Sequence, residues 1–262
     1  MKNKVILTGS IGNRPFKKYS YYSMYEYAKK VDADVHICSD ITIPDDLNNF
    51  KIGRSNNKAY LKKLLWVKEA LERYDKVLWL DDTCYINPIC PNLFEQVPAG
   101  YVAAVPNSIH LDISFFMQNY SELMFRTGLD YFDIESCFNS GVVVYTKEMK
   151  HLFDNDNLTD KFSKVAWMSH WPEQMVLCYL IVKLNIPRII LDSKYNRMNV
   201  DGNYEPYTKY SQRNQDFVIN KKLLKDNRFK YESFIYHAVG RSSDVRLKSL
   251  KAIHETFTNV KL

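Results

Sequence analysis

Tyr74-Asp75-Lys76-Val77-Leu78-Trp79-Leu80-Asp81-Asp82-Thr83 is an apolar run that ends on two adjacent carboxylates. Residues 76–80 carry the side chains of a buried strand, and the acidic pair closes it. Outward from this stretch, strand-like segments at 5–8, 34–39, 101–105, 141–145 and 188–191 alternate with helix-like ones at 19–30, 58–73, 173–184 and 245–257. The alternation predicts an α/β fold with a mostly parallel central sheet flanked by helices. Leu61, Leu64, Leu65 and Leu71 form one apolar group on the helix leading into Tyr74. On the last helix Leu247, Leu250, Ile253 and Phe257 form a stripe, which reads as core before it reads as membrane anchor.

A chain of 262 residues, 46% of them hydrophobic, can bury the core of one compact domain. The five cysteines contain no Cys-any-any-Cys pair and sit mostly in apolar runs, so they read as reduced and structural. Neither the short Val5-Ile6-Leu7 run nor the apolar run 175–182 can span a membrane, and the expectation is a cytoplasmic protein. The net charge is +6, and residues 209–251 hold eleven Lys or Arg against four Asp or Glu. Such a region attracts a nucleotide diphosphate, an anionic surface or nucleic acid, or is simply a solvated face. Tyr207, Tyr210, Phe217 and Phe229 in and beside it can stack on sugars or bases, though core packing is the commoner role. Residues 107–135 have no clean period and read as an excursion over the acceptor side. Gly9-Ser-Ile-Gly12 lacks the spacing of a phosphate loop and reads as a turn.

In an open α/β sheet, ligands collect at the carboxyl ends of strands. An acidic pair there is either a turn or helix cap, or a set of oxygen ligands for a hard divalent cation such as Mg²⁺ or Mn²⁺. Such a cation neutralises a bound diphosphate, which points to nucleotide-sugar chemistry. A second polar corner, Asn139-Ser140-Gly141, stands directly before the apolar run Val142 to Tyr145.

With these landmarks the chain resembles the family-8 glycosyltransferases, retaining enzymes of the GT-A fold. The likeness runs in order through Leu7-Thr8, the helix segment at 62–66, the acidic corner with Asn92-Leu93-Phe94-Glu95 after it, Cys137 to Val142, Glu173-Gln174, Tyr195-Asn196 and His237-Ala238-Val239-Gly240. It implies one GT-A domain over 1–262, with a nucleotide-binding half at 1–100, a sugar and acceptor half at 101–240 and a C-terminal helix at 241–262. It also implies a UDP-sugar donor, Mn²⁺ or Mg²⁺, and transfer to an acceptor hydroxyl with retention. The metal ligands would come from Asp81, Asp82, Thr83 and His237. Thr8, Lys58, Lys62, Asp81, Asp82, Gly240 and Arg241 would contact the donor, and Asn139, Glu173, Gln174 and Lys62 would line the reacting face.

Plainer readings accompany several of these: a surface lysine for Lys62, a helix start after Pro172 for Glu173-Gln174, a hydrogen-bonded structural ring for His237. Two positions depart from the family. Its Asp-any-Asp becomes Asp81-Asp82-Thr83, so that Asp82 replaces the missing carboxylate, a water bridges Thr83 to the ion, or the metal is held more weakly than is usual in the family. Its Gly-any-any-Lys becomes Gly240-Arg241-Ser242-Ser243, leaving Arg241 or Arg246 for the phosphates. The acceptor is expected to be a glycan or protein hydroxyl. A transferase acting on modified DNA bases and a nucleotide- or nucleic-acid-binding module without turnover are the alternatives, and inversion with Glu173 as base is the alternative outcome.

Overall fold

The structure is a computed structural model and describes residues 2–43, 47, 57–107, 121, 124–125, 137–160, 172–198, 224, 230–239 and 242–258. Most of residues 107–135, together with Tyr207, Tyr210, Phe217 and Phe229, lies outside them. The chain opens as two βαβ units: β1 (Lys4–Gly9), α1 (Lys17–Val31), β2 (Asp34–Cys38), α2 (Asn57–Leu71) and β3 (Lys76–Leu80). Then come β4 (Cys84–Ile86), β5 (Val102–Pro106), β6 (Phe138–Thr146), α3 (Pro172–Lys183), β7 (Arg188–Ile190), β8 (Arg197–Met198), β9 (Ile235–His237) and α4 (Ser243–Phe257).

The main sheet has the order β2-β1-β3-β6-β5-β7. Pairing is parallel from β2 to β1 to β3 and from β5 to β7, whereas β6 is antiparallel to both β3 and β5. The expected α/β architecture is therefore observed, with one reversed strand. Alternate residues of each central strand serve opposite faces. Val77 and Trp79 join the core under α2 and α3, while Leu78 and Leu80 join the core under α1. A strand buried on both faces reads as an unbroken apolar run, which is why 76–80 is legible.

The reversal of β6 corrects one detail. Asn139, Ser140 and Gly141 are not a corner before the strand but its first turns of pleat, since β6 begins at Phe138. Because β6 runs backward, its amino end lies beside the carboxyl end of β3, with Leu80 opposite Val142 and the Asp81 N–H donating to the Gly141 carbonyl at 2.8 Å. Both polar segments thus meet at one end of the sheet.

A second sheet of order β4-β9-β8 stands beside that end. The turn Asp81 to Cys84, closed by the Cys84 N–H on the Asp81 carbonyl at 2.9 Å, leads directly into β4. Register then fixes His237: it faces Cys84 on one side and Met198 on the other. α4 starts on Ser242, whose Oγ accepts from the N–H groups of Asp244 and Val245. Its Leu250 and Ile253 are buried, with Leu247 and Phe257 packed against the same cluster, so its stripe is core as expected. All five cysteines are free thiols, four of them buried, and burial pushes the Cys38 thiol up to about 11. Among the described residues no helix is long and apolar enough to cross a membrane.

Gly9, the last residue of β1, is held against the indole of Trp66, which stacks on Trp79 at 6.4 Å between ring centroids. A Cβ at Gly9 would lie 2.4 Å from Trp66 Cζ3 and 3.1 Å from Trp79 Cη2. Gly9→Ala is therefore expected to displace the Trp pair and to cost about 1–3 kcal/mol in chemical denaturation; an unchanged midpoint would contradict this packing.

Candidate functional site

The site grows from the carboxyl end of β3. Asp81 projects there with 36% of its side chain exposed, whereas Asp82 beside it keeps 5% and Glu173 7%. Asp81 is thus the acid that meets solvent. Its Oδ1 accepts from Trp79 Nε1 at 2.9 Å and from Lys63 Nζ at 3.2 Å, and its Oδ2 lies 3.7 Å from His237 Nε2. Lys63 reaches in from α2, crosses the face of Trp79 at 5.0 Å from the ring centroid, and also donates to the Ser140 carbonyl at 2.8 Å.

From Asp81 the polar contacts close into a ring. Lys63 Nζ donates to Ser140 Oγ at 3.2 Å and lies 3.7 Å from Glu173 Oε1, to which Ser140 Oγ donates at 2.9 Å. The Ser140 N–H donates to Gln174 Oε1 at 3.1 Å, which also faces Asn139 Nδ2 at 3.5 Å. Asn139 Oδ1 accepts from Asn196 Nδ2 at 2.9 Å, and Asn196 Oδ1 lies 3.0 Å from His237 Nδ1, returning to Asp81. Gly141 makes room for this closure: a Cβ there would stand 2.3 Å from His237 Cε1.

The structure thereby brings together five of the residues singled out in the sequence, Asp81, Asn139, Glu173, Gln174 and His237. It does not bring Lys62 to Asp81. Lys62 Nζ faces Glu69 at 3.5 Å and Asp40 at 3.9 Å, and the adjacent Lys63 occupies the site instead. Lys62 is buried too and is not a surface lysine; on a helical wheel it aligns with Leu65, Trp66 and the exposed Glu69, whereas Lys63 aligns with Trp66, Val67 and the buried Ala70, so the signal that separates them is the residue two turns on. Asp82 is engaged elsewhere: Arg14 Nη1 donates to both its oxygens, at 2.9 and 3.0 Å. Thr83 is buried, its carbonyl accepting the Ala238 N–H, and Thr8 is buried within β1. The side chain of Lys58 and the residues Gly240 and Arg241 lie outside the described residues. Among the described residues, no group of three or more His, Cys, Asp or Glu side chains is gathered closely enough to hold a metal ion. Arg14, Lys63, Ser140 and Asn196 are the members that sequence reasoning gave no role.

The three acids of the site are driven apart in acidity. Burial pushes Asp81 up, but Lys63, His237 when its ring is protonated, and the Trp79 N–H outweigh it and hold the carboxyl below its ordinary value. Burial raises Asp82, with Arg14 opposing and the neighbouring Asp81 adding to the rise. Burial also raises Glu173 against the pull of Lys63, and its Oε2 makes no hydrogen bond. Arg246 on α4 is near enough to feel this cluster: burial and the like charge of Arg14 lower it, while Asp82 and Asp81 oppose.

No family model and no curated protein matches the chain. Solved structures do. The galactosyltransferase LgtC, in complex with donor and acceptor sugar analogues, aligns over 98% of this chain and 97% of its own with a TM-score of 0.55 and 14% identity. A glycosyltransferase involved in glycosylation of the major capsid of PBCV-1 aligns over 94% and 98%, with a TM-score of 0.54 and 15% identity. Mouse xyloside xylosyltransferase 1 aligns over 88% and 96%, at 0.52 and 13%. At these identities the likeness is one of architecture, and the fold is that of the GT-A glycosyltransferases.

Glu173 gives the site a pH signature. Its folded pKa lies above the ordinary 4.5, so its charge costs stability, a cost absent below pH 4.5 and accruing as pH rises through the folded value. Asp81 has the opposite sign: its contribution is present above the ordinary 3.8 and lost as pH falls through the lower folded value. Glu173→Gln is expected to melt higher than the wild-type protein at pH 8, with the gap closing as pH approaches 4.5. A gap that is absent at pH 8, or constant with pH, would contradict the assignment.

Proposed function

We propose that the protein is a glycosyltransferase of the family-8 type, moving a sugar from a UDP-sugar to an acceptor hydroxyl with retention. The observation that carries this reading is the approach of Asp81 Oδ2 and His237 Nε2 to 3.7 Å at the carboxyl end of β3, within a GT-A fold. A carboxylate and an imidazole facing one gap form a donor set that suits Mn²⁺, with Mg²⁺ the less favoured choice because of the nitrogen. Asp81 and His237 would hold the ion, and diphosphate oxygens would supply further ligands. When bound, the metal supplies positive charge against the oxygens of the leaving nucleoside diphosphate.

The remaining roles fall to the chain's own side chains. Lys63 keeps Asp81 ionised and oriented, and its ammonium is itself a cation beside the place where leaving-group charge develops. Glu173 is committed to Ser140 and stands against Lys63 in a buried position, so it acts by fixing that lysine and not as the base of an inverting displacement. With Glu173 in that role, a diphosphate oxygen of the donor would take the acceptor proton on the face the leaving group departs from, which gives retention. Gln174 and Asn139 hold the start of β6 and thereby the floor of the site. Among the described residues, Arg14 and Arg246 act electrostatically on Asp82 of the acidic turn, and they are assigned to the diphosphate in place of the family's lysine. A glycan or protein hydroxyl is the proposed acceptor.

Release of UDP and free sugar from a panel of UDP-sugars, followed by mass spectrometry with Mn²⁺ and with chelator, tests the reading. Asp81→Asn should lower Mn²⁺-dependent turnover by about 100-fold or more while the protein remains folded by circular dichroism; near-normal turnover would sink the assignment. Lys63→Met should lose turnover by about 10-fold or more, and Lys62→Met should leave it within about 2-fold. Equal losses at the two lysines would remove Lys63 from the site.

A further inference from the structure

We infer that Asn196 is a positioning residue that fixes the tautomer of His237, placing the ring proton on Nδ1 and turning the Nε2 lone pair toward Asp81. The inference deepens the proposed metal site and rests on that reading for its consequence, but not for its derivation. The derivation starts from a main-chain group whose role is not adjustable. The Gly141 N–H can only donate, and it donates to Asn139 Oδ1 at 2.9 Å. The atom of Asn139 at that position must therefore be its oxygen, since an amide NH₂ accepts nothing.

The same oxygen meets the amide of Asn196 at 2.9 Å, so Asn196 must present its NH₂ there and its carbonyl oxygen on the other side. That oxygen stands 3.0 Å from His237 Nδ1. An oxygen acceptor facing a ring nitrogen requires the nitrogen to carry the hydrogen, which makes Nδ1 the donor. In the neutral ring Nε2 then bears a lone pair, directed toward a carboxylate oxygen 3.7 Å away. Two electron-rich atoms face each other, and a cation between them removes the repulsion. Ligating histidines commonly have their other ring nitrogen fixed in this way by an outer hydrogen bond.

The surroundings hold the relay still. Asn196 is fully buried and His237 nearly so. Asn196 directly precedes β8, whose Met198 pairs with His237, so backbone register carries the amide to the ring. Gly141 serves twice, as the donor that sets the direction of the relay and as the residue whose missing Cβ admits the imidazole.

Long-range ¹H–¹⁵N spectra of the full-length, metal-free protein at pH 8 read the tautomer, with His237 assigned by its absence from a His237→Gln variant. The expected result is a protonated Nδ1 and an unprotonated Nε2 in the wild type, and loss of that single tautomer in Asn196→Ala. Asn196→Asp keeps an acceptor for Nδ1 but sets an oxygen against Asn139 Oδ1. It should therefore retain the tautomer while lowering the melting temperature. Mn²⁺ binding followed by electron paramagnetic resonance should weaken by about 10–100-fold in Asn196→Ala and be largely kept in Asn196→Asp. A purely structural Asn196 would instead make Mn²⁺ affinity follow stability in both variants. A proton on Nε2 in the wild type, or an unchanged tautomer in Asn196→Ala, overturns the inference whether or not Mn²⁺ binds. The expected tautomers with no Mn²⁺ binding to the wild type would support the relay and overturn the metal reading alone.

Discussion

A carboxylate that stays ionised at the end of a hydrophobic strand is the constraint around which this molecule is arranged. Asp81 follows five residues that form the middle of the sheet, and its charge is worth keeping there only if partners compensate what burial takes away. Each partner comes from a different part of the fold. Trp79 belongs to the strand itself and Lys63 to the crossover helix before it; His237, from the small sheet beside it, adds to them only when its ring is protonated. The reversed strand β6 then joins the lysine to the glutamate of α3 through Ser140.

The legible part of this structure is the part built from long, periodic segments. The helices α1, α2 and α4 were readable because they present an apolar side at fixed spacing, β3 and α3 because they are unbroken apolar runs, and the acid pair stood out because it ends such a run. Neither direction nor start was readable for β6: a strand buried on both faces is the same apolar run whichever way it runs, and Asn139 and Gly141 are residue types depleted in strands, so Asn139 to Gly141 read as preceding the strand that contains them. Lys62 and Lys63 are adjacent and chemically identical, and a motif match that tolerates a shift of one cannot separate them; only the residue two turns on does, Glu69 for Lys62 and the buried Ala70 for Lys63.

The pairings within the site left no local trace. Arg14 and Asp82 are 68 residues apart, and Asn196 and His237 are 41 apart. The strands that bring the second pair together are two and three residues long, too short to show any period. The Asp82–Arg14 pair also clarifies the departure at Thr83. The carboxylate next in sequence to Asp81 is drawn into an ion pair, so the turn offers one acid to the open side, and in the proposed metal site His237 would provide the second ligand.

Fold likeness to sugar transferases at 13–15% identity fixes the architecture and leaves the chemistry to the side chains at the end of β3. Calorimetric titration of UDP into the protein with and without Mn²⁺ asks those side chains directly whether a cation and a diphosphate share the site. The account predicts UDP affinity raised by about 10-fold or more by Mn²⁺ and restored to the metal-free value on chelation. Equal UDP affinity in Mn²⁺ and in chelator would contradict it.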